Sequence, residues 1–458
     1  MTLIKSISGI RGIIGDGLSP IEIVKFTSAY AELIKRKAGK ERISIIVGRD
    51  ARTSGPMVSG MVCSTLMSCS ADVTDLGLAT TPTVEMAVTL LTADGGIIIT
   101  ASHNPAQWNA LKLLNSEGEF LSANEGAEIL SLAVNSNFKF ASHLDLGNYS
   151  RNENLLDDHI RMILELPLVN TEAIKKSGFK VAFDAVNSVG GRAVPRLLEA
   201  LGVKSVFPLN ENPDGHFAHN PEPLPENLAD ICRVVEKEKA DVGFVVDPDV
   251  DRLAIVMENG QFFGEEYTLV AVADYILRHR PGNTVSNLSS TRALKDVTEN
   301  RGGKYFAAAV GEVNVVQKMK ECHAVIGGEG NGGVIYPELH YGRDALAGIA
   351  LFLSHLAISG KSCSELRNFY PDYYISKNKV TLKEDVDIKE LFNYIRISYK
   401  EYPINDTDGL KIDFPDGWIH LRLSNTEPIM RIYSEARSID KADELAKQVN
   451  DRISQWTC

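Results

Sequence analysis

Short apolar runs alternate along the chain with longer stretches whose apolar positions recur every three or four residues, and this alternation happens three times. In the first segment, strands are expected at Ile43–Val47, Asp72–Leu76 and Gly95–Thr100, with helices over 55–70 and 83–91. The order returns after a helix expected over 155–164. Strands are then predicted at Phe179–Asp184, Val203–Pro208 and Asp241–Val246, and helices over 189–201 and 227–239. A third round has strands at Thr284–Leu288, Lys304–Ala308 and Ala324–Gly327, helices over 291–301 and 312–322, and a long helix over 344–359. Such βαβαβ units imply α/β domains with mixed, mostly parallel sheets. The repeats are far longer than those of solenoids, so they are domains and not an array. The last stretch departs from the pattern. Leu410–Phe414, a turn at Pro415-Asp416-Gly417, Trp418–Arg422 and Pro428–Glu435 read as antiparallel strands ahead of a helix over 439–453, a smaller α+β domain. Hydrophobic periodicity pauses near 147–154, 258–264 and 364–374, which divides the chain into 1–150, 151–257, 258–368 and 369–458.

The chain has 458 residues, 44% hydrophobic and 24% charged, enough for ordinary globular cores in several domains. A net charge of −12 makes nucleic acid and anionic membranes poor partners, although a few local arginines can still hold a small anion. Cys63, Cys69, Cys232, Cys322, Cys363 and Cys458 show no paired-ligand spacing, which fits reduced thiols. The start of the chain has no signal-type apolar core and no run reaches membrane-spanning length, so a cytoplasmic enzyme is expected. His216 and His219 are spaced for a zinc site, but no further ligand lies near in sequence and a structural role fits better.

Open parallel sheets bind ligands beyond the carboxyl ends of their strands, and the unusual loops of this chain follow the third strand of each unit. After Val242–Val246 comes Asp247-Pro248-Asp249-Val250-Asp251-Arg252. An extended chain would aim three alternate carboxylates to one side, where their repulsion calls for a hard dication such as Mg2+. An EF-hand loop is excluded because Arg252 stands where its sharp turn needs glycine. After Gly95–Thr100 comes Ala101-Ser102-His103-Asn104-Pro105, where Ser102 is an exposed nucleophile candidate. His103 is a poor relay partner for it, since neighbours in an extended chain point to opposite sides. The third loop, Gly327-Gly328-Glu329-Gly330-Asn331-Gly332-Gly333, allows close backbone approach and offers Glu329 and Asn331 as hydrogen-bonding groups. In the last domain, Arg422, Ser424, Asn425 and Thr426, with Arg431 behind, have the chemistry of a phosphate clamp.

These four motifs, one per domain and in order, resemble those of the α-D-phosphohexomutase superfamily, which includes phosphoglucomutases, phosphomannomutases and phosphoglucosamine mutases. The resemblance covers the whole chain and implies four domains around a central cleft. It implies that Ser102 carries a phosphoryl group, with His103 beside it in the catalytic loop. Ser102, Asp247, Asp249 and Asp251 would be ligands of Mg2+. Arg11 and Arg252 would balance phosphoryl charge, and Lys112 would act as general acid or base. Glu329 and Asn331 would bind sugar hydroxyls, and Arg422, Ser424, Asn425, Thr426 and Arg431 would hold the phosphate that is not reacting. The implied partners are a small phosphorylated sugar and a bisphosphorylated sugar as activator, with the chain a monomer or homodimer.

Departures from the family pattern bear on the sugar. Many members carry serine and histidine where this chain has Asn331 and Gly333, which leaves the histidine's role without an owner. The form of the sugar loop, with Asp-Pro-Asp in the metal loop, looks like that of archaeal-type members and their bacterial relatives assigned as phosphoglucosamine mutases. Asn425 is instead like the phosphomannomutase form. Glucosamine phosphate is therefore the leading expectation, with glucose or mannose phosphate as the alternative. A metal-dependent phosphatase or a silent sugar-phosphate binding protein would be different classes. The second is disfavoured because both Ser102 and the aspartates are kept.

Overall fold

The computed structural model describes residues 3–6, 9–382, 387–423 and 429–457. The first sheet is built from β1 (Ile4–Ser6), β2 (Gly9–Ile13), β3 (Ile43–Arg49), β4 (Ala71–Leu78), β5 (Gly95–Ile99), β6 (Trp108–Leu114) and β7 (Tyr149–Arg151) in the order β1-β2-β6-β5-β3-β4-β7. Its β5-β3-β4-β7 half is parallel, and β6, β2 and β1 add antiparallel strands beyond β5. The second sheet contains β8 (Lys180–Asp184), β9 (Ser205–Leu209), β10 (Val242–Val246) and β11 (Leu253–Met257), ordered β11-β10-β8-β9. The third contains β12 (Asn283–Asn287), β13 (Tyr305–Ala308), β14 (Ala324–Glu329) and β15 (Gly333–Ile335), ordered β13-β12-β14-β15. Each of these two pairs its first three strands in parallel and adds an antiparallel edge strand. The last sheet is wholly antiparallel: β16 (Tyr374–Thr381), β17 (Ile404–Asn405), β18 (Leu410–Phe414), β19 (Gly417–Leu423) and β20 (Ile429–Ala436), ordered β16-β20-β19-β18-β17.

Local chemistry sets the helix ends. Helix Pro20–Ala38 starts at Ser19, whose Oγ accepts the Glu22 N–H, and stops at Gly39, which takes φ 63°. Helix Ala345–Ser359 starts at Asp344, whose Oδ1 accepts from the N–H groups of Leu346 and Ala347. All residues from Ala345 to Leu356 are buried. A helix apolar all round must be enclosed on every side, and this one fuses the second and third units into one hydrophobic core running from Ile160 to Tyr373. The first and last units keep main cores of their own. The sequence pattern missed β1, β2, β6, β7, β15, β16 and β17, and helices Pro20–Ala38, Ala123–Asn135, Thr171–Ser177, Tyr267–His279, Cys363–Arg367 and Ile388–Ser398. In β2 the glycines of Gly-Ile-Arg-Gly-Ile dilute strand character. In β6 the apolar positions run together without alternation. No helix among the described residues is long and apolar enough to cross a membrane.

Candidate active site

Ser102 follows the fully buried β5 and takes a left-handed φ of 49°, a strained conformation for a residue with a Cβ. The Ser102 N–H donates to Thr100 Oγ1 (2.9 Å), and that hydroxyl donates to Asp50 Oδ2 (2.6 Å). The fully buried Arg52 braces the same loop. Its Nε donates to Asp50 Oδ2 (3.0 Å), Nη2 to the carbonyls of Ser102 (2.5 Å) and Asn104 (2.7 Å), and Nη1 to those of Pro105 (2.7 Å) and Trp108 (2.9 Å). All five N–H groups of the guanidinium are thereby used, four of them to fix the backbone around the serine.

The serine hydroxyl donates to Asp247 Oδ2 at 2.6 Å. The aspartates converge, but not through an extended strand. Residues 247–252 form a turn in which the Val250 N–H donates to the Asp247 carbonyl (3.0 Å) and Val250 takes φ 63°. Asp247 Oδ1 accepts the N–H groups of Asp251 and Arg252, both at 3.1 Å. Asp249 Oδ2 accepts from Thr81 Oγ1 (2.6 Å) and Lys112 Nζ (2.7 Å). Asp251 Oδ2 accepts from Arg343 Nη2 (2.6 Å) and Lys112 Nζ (3.2 Å). All three carboxyl groups are fully buried and offer oxygens within 4.8 Å of one another. Asp249 Oδ1 and Asp251 Oδ1 have no hydrogen-bond partner. Buried acceptors without donors are costly, and an oxygen-only set with two lone acceptors fits a hard dication such as Mg2+.

The electrostatics follow from this crowding. Burial and the neighbouring Asp251 and Asp249 push the Asp247 carboxyl well above its usual range. Burial also disfavours the charged form of Asp251, but Arg343 and Lys112 outweigh it and hold that carboxyl below the usual range. Lys112, on β6, would be lowered by burial, yet Asp249 and Asp251 hold it above the ordinary lysine value. Arg11, on β2, is lowered by burial and by the positive charges of Arg252 and Arg431. Guanidiniums from the second and last units thus act on Arg11 of the first, and the Nε atoms of Arg11 and Arg252 are buried without a hydrogen-bond partner, Arg252 Nε lying 3.9 Å from Asp251 Oδ1. Arg11 also donates from Nη1 to Asn104 Oδ1 at 3.5 Å. His103 is lowered to about 2, by burial first and then by Arg252, so its ring is neutral. Contrary to the extended-chain expectation, its Nδ1 lies 3.4 Å from Ser102 Oγ, because the left-handed turn at Ser102 brings the two side chains together.

In the third unit, Gly327 to Glu329 belong to β14 and not to a loop; the turn itself is Gly330-Asn331-Gly332. Glu329 Oε1 accepts from Asn287 Nδ2 (2.8 Å) and the Gly311 N–H (3.1 Å), and Oε2 from Arg343 Nη1 (2.9 Å). Asn331 Oδ1 accepts the Gly333 N–H at 3.3 Å. Arg343 is the hub that sequence reasoning missed. It joins Asp251 of the aspartate turn, Glu329 at the end of β14, and Glu312, to which its N–H and Nε donate at 3.0 Å each. A Cβ on Gly333 would lie 2.3 Å from Arg343 Cδ. The space a side chain would need at that position is already filled by the arginine, and the glycine was its only trace in the sequence. Arg52 left no trace, since its partners are mostly backbone carbonyls.

In the last unit, Arg422 Nε donates to Asp408, 2.9 Å from Oδ2 and 3.1 Å from Oδ1, and Arg431 is exposed on β20 opposite Arg422 in register. Ser424, Asn425 and Thr426 lie outside the described residues. His216 is exposed, and His219 is engaged by Asp184 at 3.2 Å.

Four successive stretches of the chain match the descriptions "Phosphoglucomutase/phosphomannomutase, alpha/beta/alpha domain" I (3–139), II (157–260) and III (264–373) and the C-terminal domain (377–452). The chain belongs to the phosphoglucomutase/phosphomannomutase family. This phosphohexomutase is 39% identical to a phosphoglucomutase/phosphomannomutase of Thermococcus kodakarensis over 95% of both chains. It is 32% identical to a phosphoglucosamine/phosphogalactosamine mutase of Sulfurisphaera tokodaii over 96% of this chain and 97% of that one. A crystal structure of a family member from Burkholderia thailandensis superimposes with a TM-score of 0.84 at 26% identity, covering 98% of this chain and 96% of the other. The phosphohexomutase is thus an isomerase of the intramolecular phosphotransferase type, as its motifs implied, built on the four-domain fold of its superfamily.

Proposed function

We propose that the phosphohexomutase interconverts glucosamine 6-phosphate and glucosamine 1-phosphate through a phosphorylated Ser102 and a bisphosphorylated sugar. The observation that carries the phosphoryl chemistry is the Ser102 hydroxyl, 2.6 Å from one of three buried carboxylates and near guanidiniums with unpaired Nε donors. Ser102, Asp247, Asp249 and Asp251 would hold Mg2+, which when bound neutralises the negative charge of the phosphoryl oxygens. A sugar oxygen forms its bond to phosphorus as the bond to Ser102 Oγ breaks; the bisphosphate then turns over and its other phosphoryl group returns to Ser102. Arg11 and Arg252 face the developing charge. Lys112 is the acid or base for the exchanging sugar oxygen, and His103, neutral, packs beside the serine.

Glu329 and Asn331 take the sugar hydroxyls, while Arg422, Ser424, Asn425, Thr426 and Arg431 clamp the distal phosphate. Because a bisphosphorylated sugar can rephosphorylate Ser102, it acts as activator. The four working units are 1–150, 151–257, 258–368 and 369–458, in a cytoplasmic enzyme. Support for glucosamine comes from the excess of carboxylates around Arg343, where Asp251, Glu312 and Glu329 surround one guanidinium, a field that favours a cationic sugar. A second reading, glucose or mannose phosphate, is favoured by the 39% identity to the Thermococcus enzyme. Interconversion of the 1- and 6-phosphates of the three sugars, measured with Mg2+ and a bisphosphate activator, separates them. The highest kcat/KM on glucosamine phosphate is expected; a clear preference for glucose or mannose overturns the choice of sugar.

A further inference from the structure

Away from the aspartates, a second cluster of ligating groups lies where the first three units meet. His159 sits on helix Leu155–Glu165, Thr83 and Glu85 on helix Thr81–Leu90, and His340 and Asp344 in the segment leading to helix Ala345–Ser359. Asp344 Oδ1 is spent on capping that helix, which leaves Oδ2. The Nε2 atoms of both histidines converge on it, His159 at 2.9 Å and His340 at 3.4 Å. Each ring is oriented from its other nitrogen. His159 Nδ1 lies 3.0 Å from Thr83 Oγ1, and His340 Nδ1 lies 3.4 Å from Glu85 Oε2.

Glu85 supplies an independent sign that something is missing. It is 2% exposed, and neither of its carboxylate oxygens has a hydrogen-bond partner. Asp344 and Glu85 thus bracket the His340 ring, with one carboxyl group near each ring nitrogen.

We infer that His159 Nε2, His340 Nε2 and Asp344 Oδ2 form a site for a zinc-class divalent cation that joins the second and third units, with Thr83 and Glu85 of the first unit behind the two rings. Tetrahedral ligands at about 2.0–2.2 Å from Zn2+ sit roughly 3.3–3.6 Å apart; the two nitrogens lie 2.9 and 3.4 Å from Asp344 Oδ2, and all three ligand atoms lie within 4.8 Å of one another. Imidazole donors select zinc-class metals, whereas the all-oxygen aspartate turn suits Mg2+. A metal-bound histidine that donates its other N–H to a carboxylate, as His340 would to Glu85, is the usual supporting arrangement. His159 and Asp344 are closed to solvent and His340 is slightly exposed, so a water would have to supply the fourth ligand. The site is independent of which sugar the enzyme uses.

The test is metal retention by the full chain, stripped with EDTA and re-equilibrated with Zn2+ in excess Mg2+. About one zinc per chain is expected by elemental analysis, with Co2+ giving the visible absorption of a four-coordinate site. His340→Gln should lose the metal, Glu85→Gln should bind it roughly 10- to 100-fold more weakly, and Asp249→Asn should keep it. Failure of the wild type to retain zinc, or loss of zinc in Asp249→Asn with retention in His340→Gln, overturns the inference. If His340→Gln does not fold, the Glu85→Gln titration decides, and an unchanged affinity counts against the site.

Discussion

Asp249 Oδ1 and Asp251 Oδ1 are buried acceptors to which no donor among the described residues reaches, and they sit beside the serine hydroxyl. Asp249→Asn removes charge from this set, and we expect kcat/KM to fall about 100-fold or more, with Mg2+ needed at higher concentration in steady-state assays. Gly333 gives a second test. Gly333→His must push against the Arg343 stem, so the variant should lose about 1–3 kcal/mol in chemical unfolding, and the loss should shrink when Arg343 is also shortened. An equal loss in both backgrounds would show that the arginine does not fill that space. At this scale the sequence was informative where chemistry lies in consecutive residues, as in Asp247 to Asp251 or around Ser102. It was silent for Arg52 and Glu85 and gave only Gly333 as a trace of Arg343, since the partners of all three are brought together only by folding. It also misled about His103 and the aspartates, because positive φ at Ser102 and Val250 changes side-chain direction in a way that composition does not reveal.

Between elements, Arg52 ties the end of β3 to the Ser102 loop by donating to four carbonyls. Arg52→Lys cannot reproduce that fork, and kcat should fall roughly 10- to 100-fold with little change in KM for the sugar phosphate. A change confined to KM would place the arginine in binding. Lys411 on β18 donates to the Leu288 carbonyl (2.7 Å) across the junction of the last two units and lies 4.3 Å from the Trp418 ring centroid. Burial lowers its ammonium from 10.5 to about 8. Between these values the unfolded chain binds more protons than the folded one, so this residue makes stability rise with pH across the window and costs stability below it. Urea unfolding at about pH 7.5 and about pH 9.5 should show a gain of roughly 2 kcal/mol that is absent in Lys411→Met. The repeated βαβαβ elements were legible because their strands are short, apolar and bounded by turns. The strands carrying Arg11 and Lys112 were not, since β2 is rich in glycine and β6 is apolar on both faces.

For the whole molecule, the four units read from the sequence become three cores of main size, because the apolar helix Ala345–Ser359 joins the second and third. The last unit is attached through narrower contacts: Lys411 to Leu288, Asp408 to the Val310 N–H (3.0 Å), and Arg292 to the carbonyls of Phe414, Pro415 and Gly417. Ser289 with His420, the Arg292 N–H with Glu435 and Lys377 with Glu265 add to the same junction, and the proposed turnover of a bisphosphate would need these polar contacts to open. Asp408 holds Arg422 and the Val310 backbone together, so Asp408→Asn should raise KM for the sugar phosphate several-fold while leaving the fold intact by circular dichroism. Phosphopeptide mass spectrometry of the protein after incubation with a hexose bisphosphate, then with a sugar monophosphate, follows the phosphoryl group on Ser102 itself. We predict one phosphoryl group on the peptide containing Ser102, lost to the sugar in the second step and absent in Ser102→Ala. Phosphate on another residue, or turnover that persists in Ser102→Ala, would contradict the account.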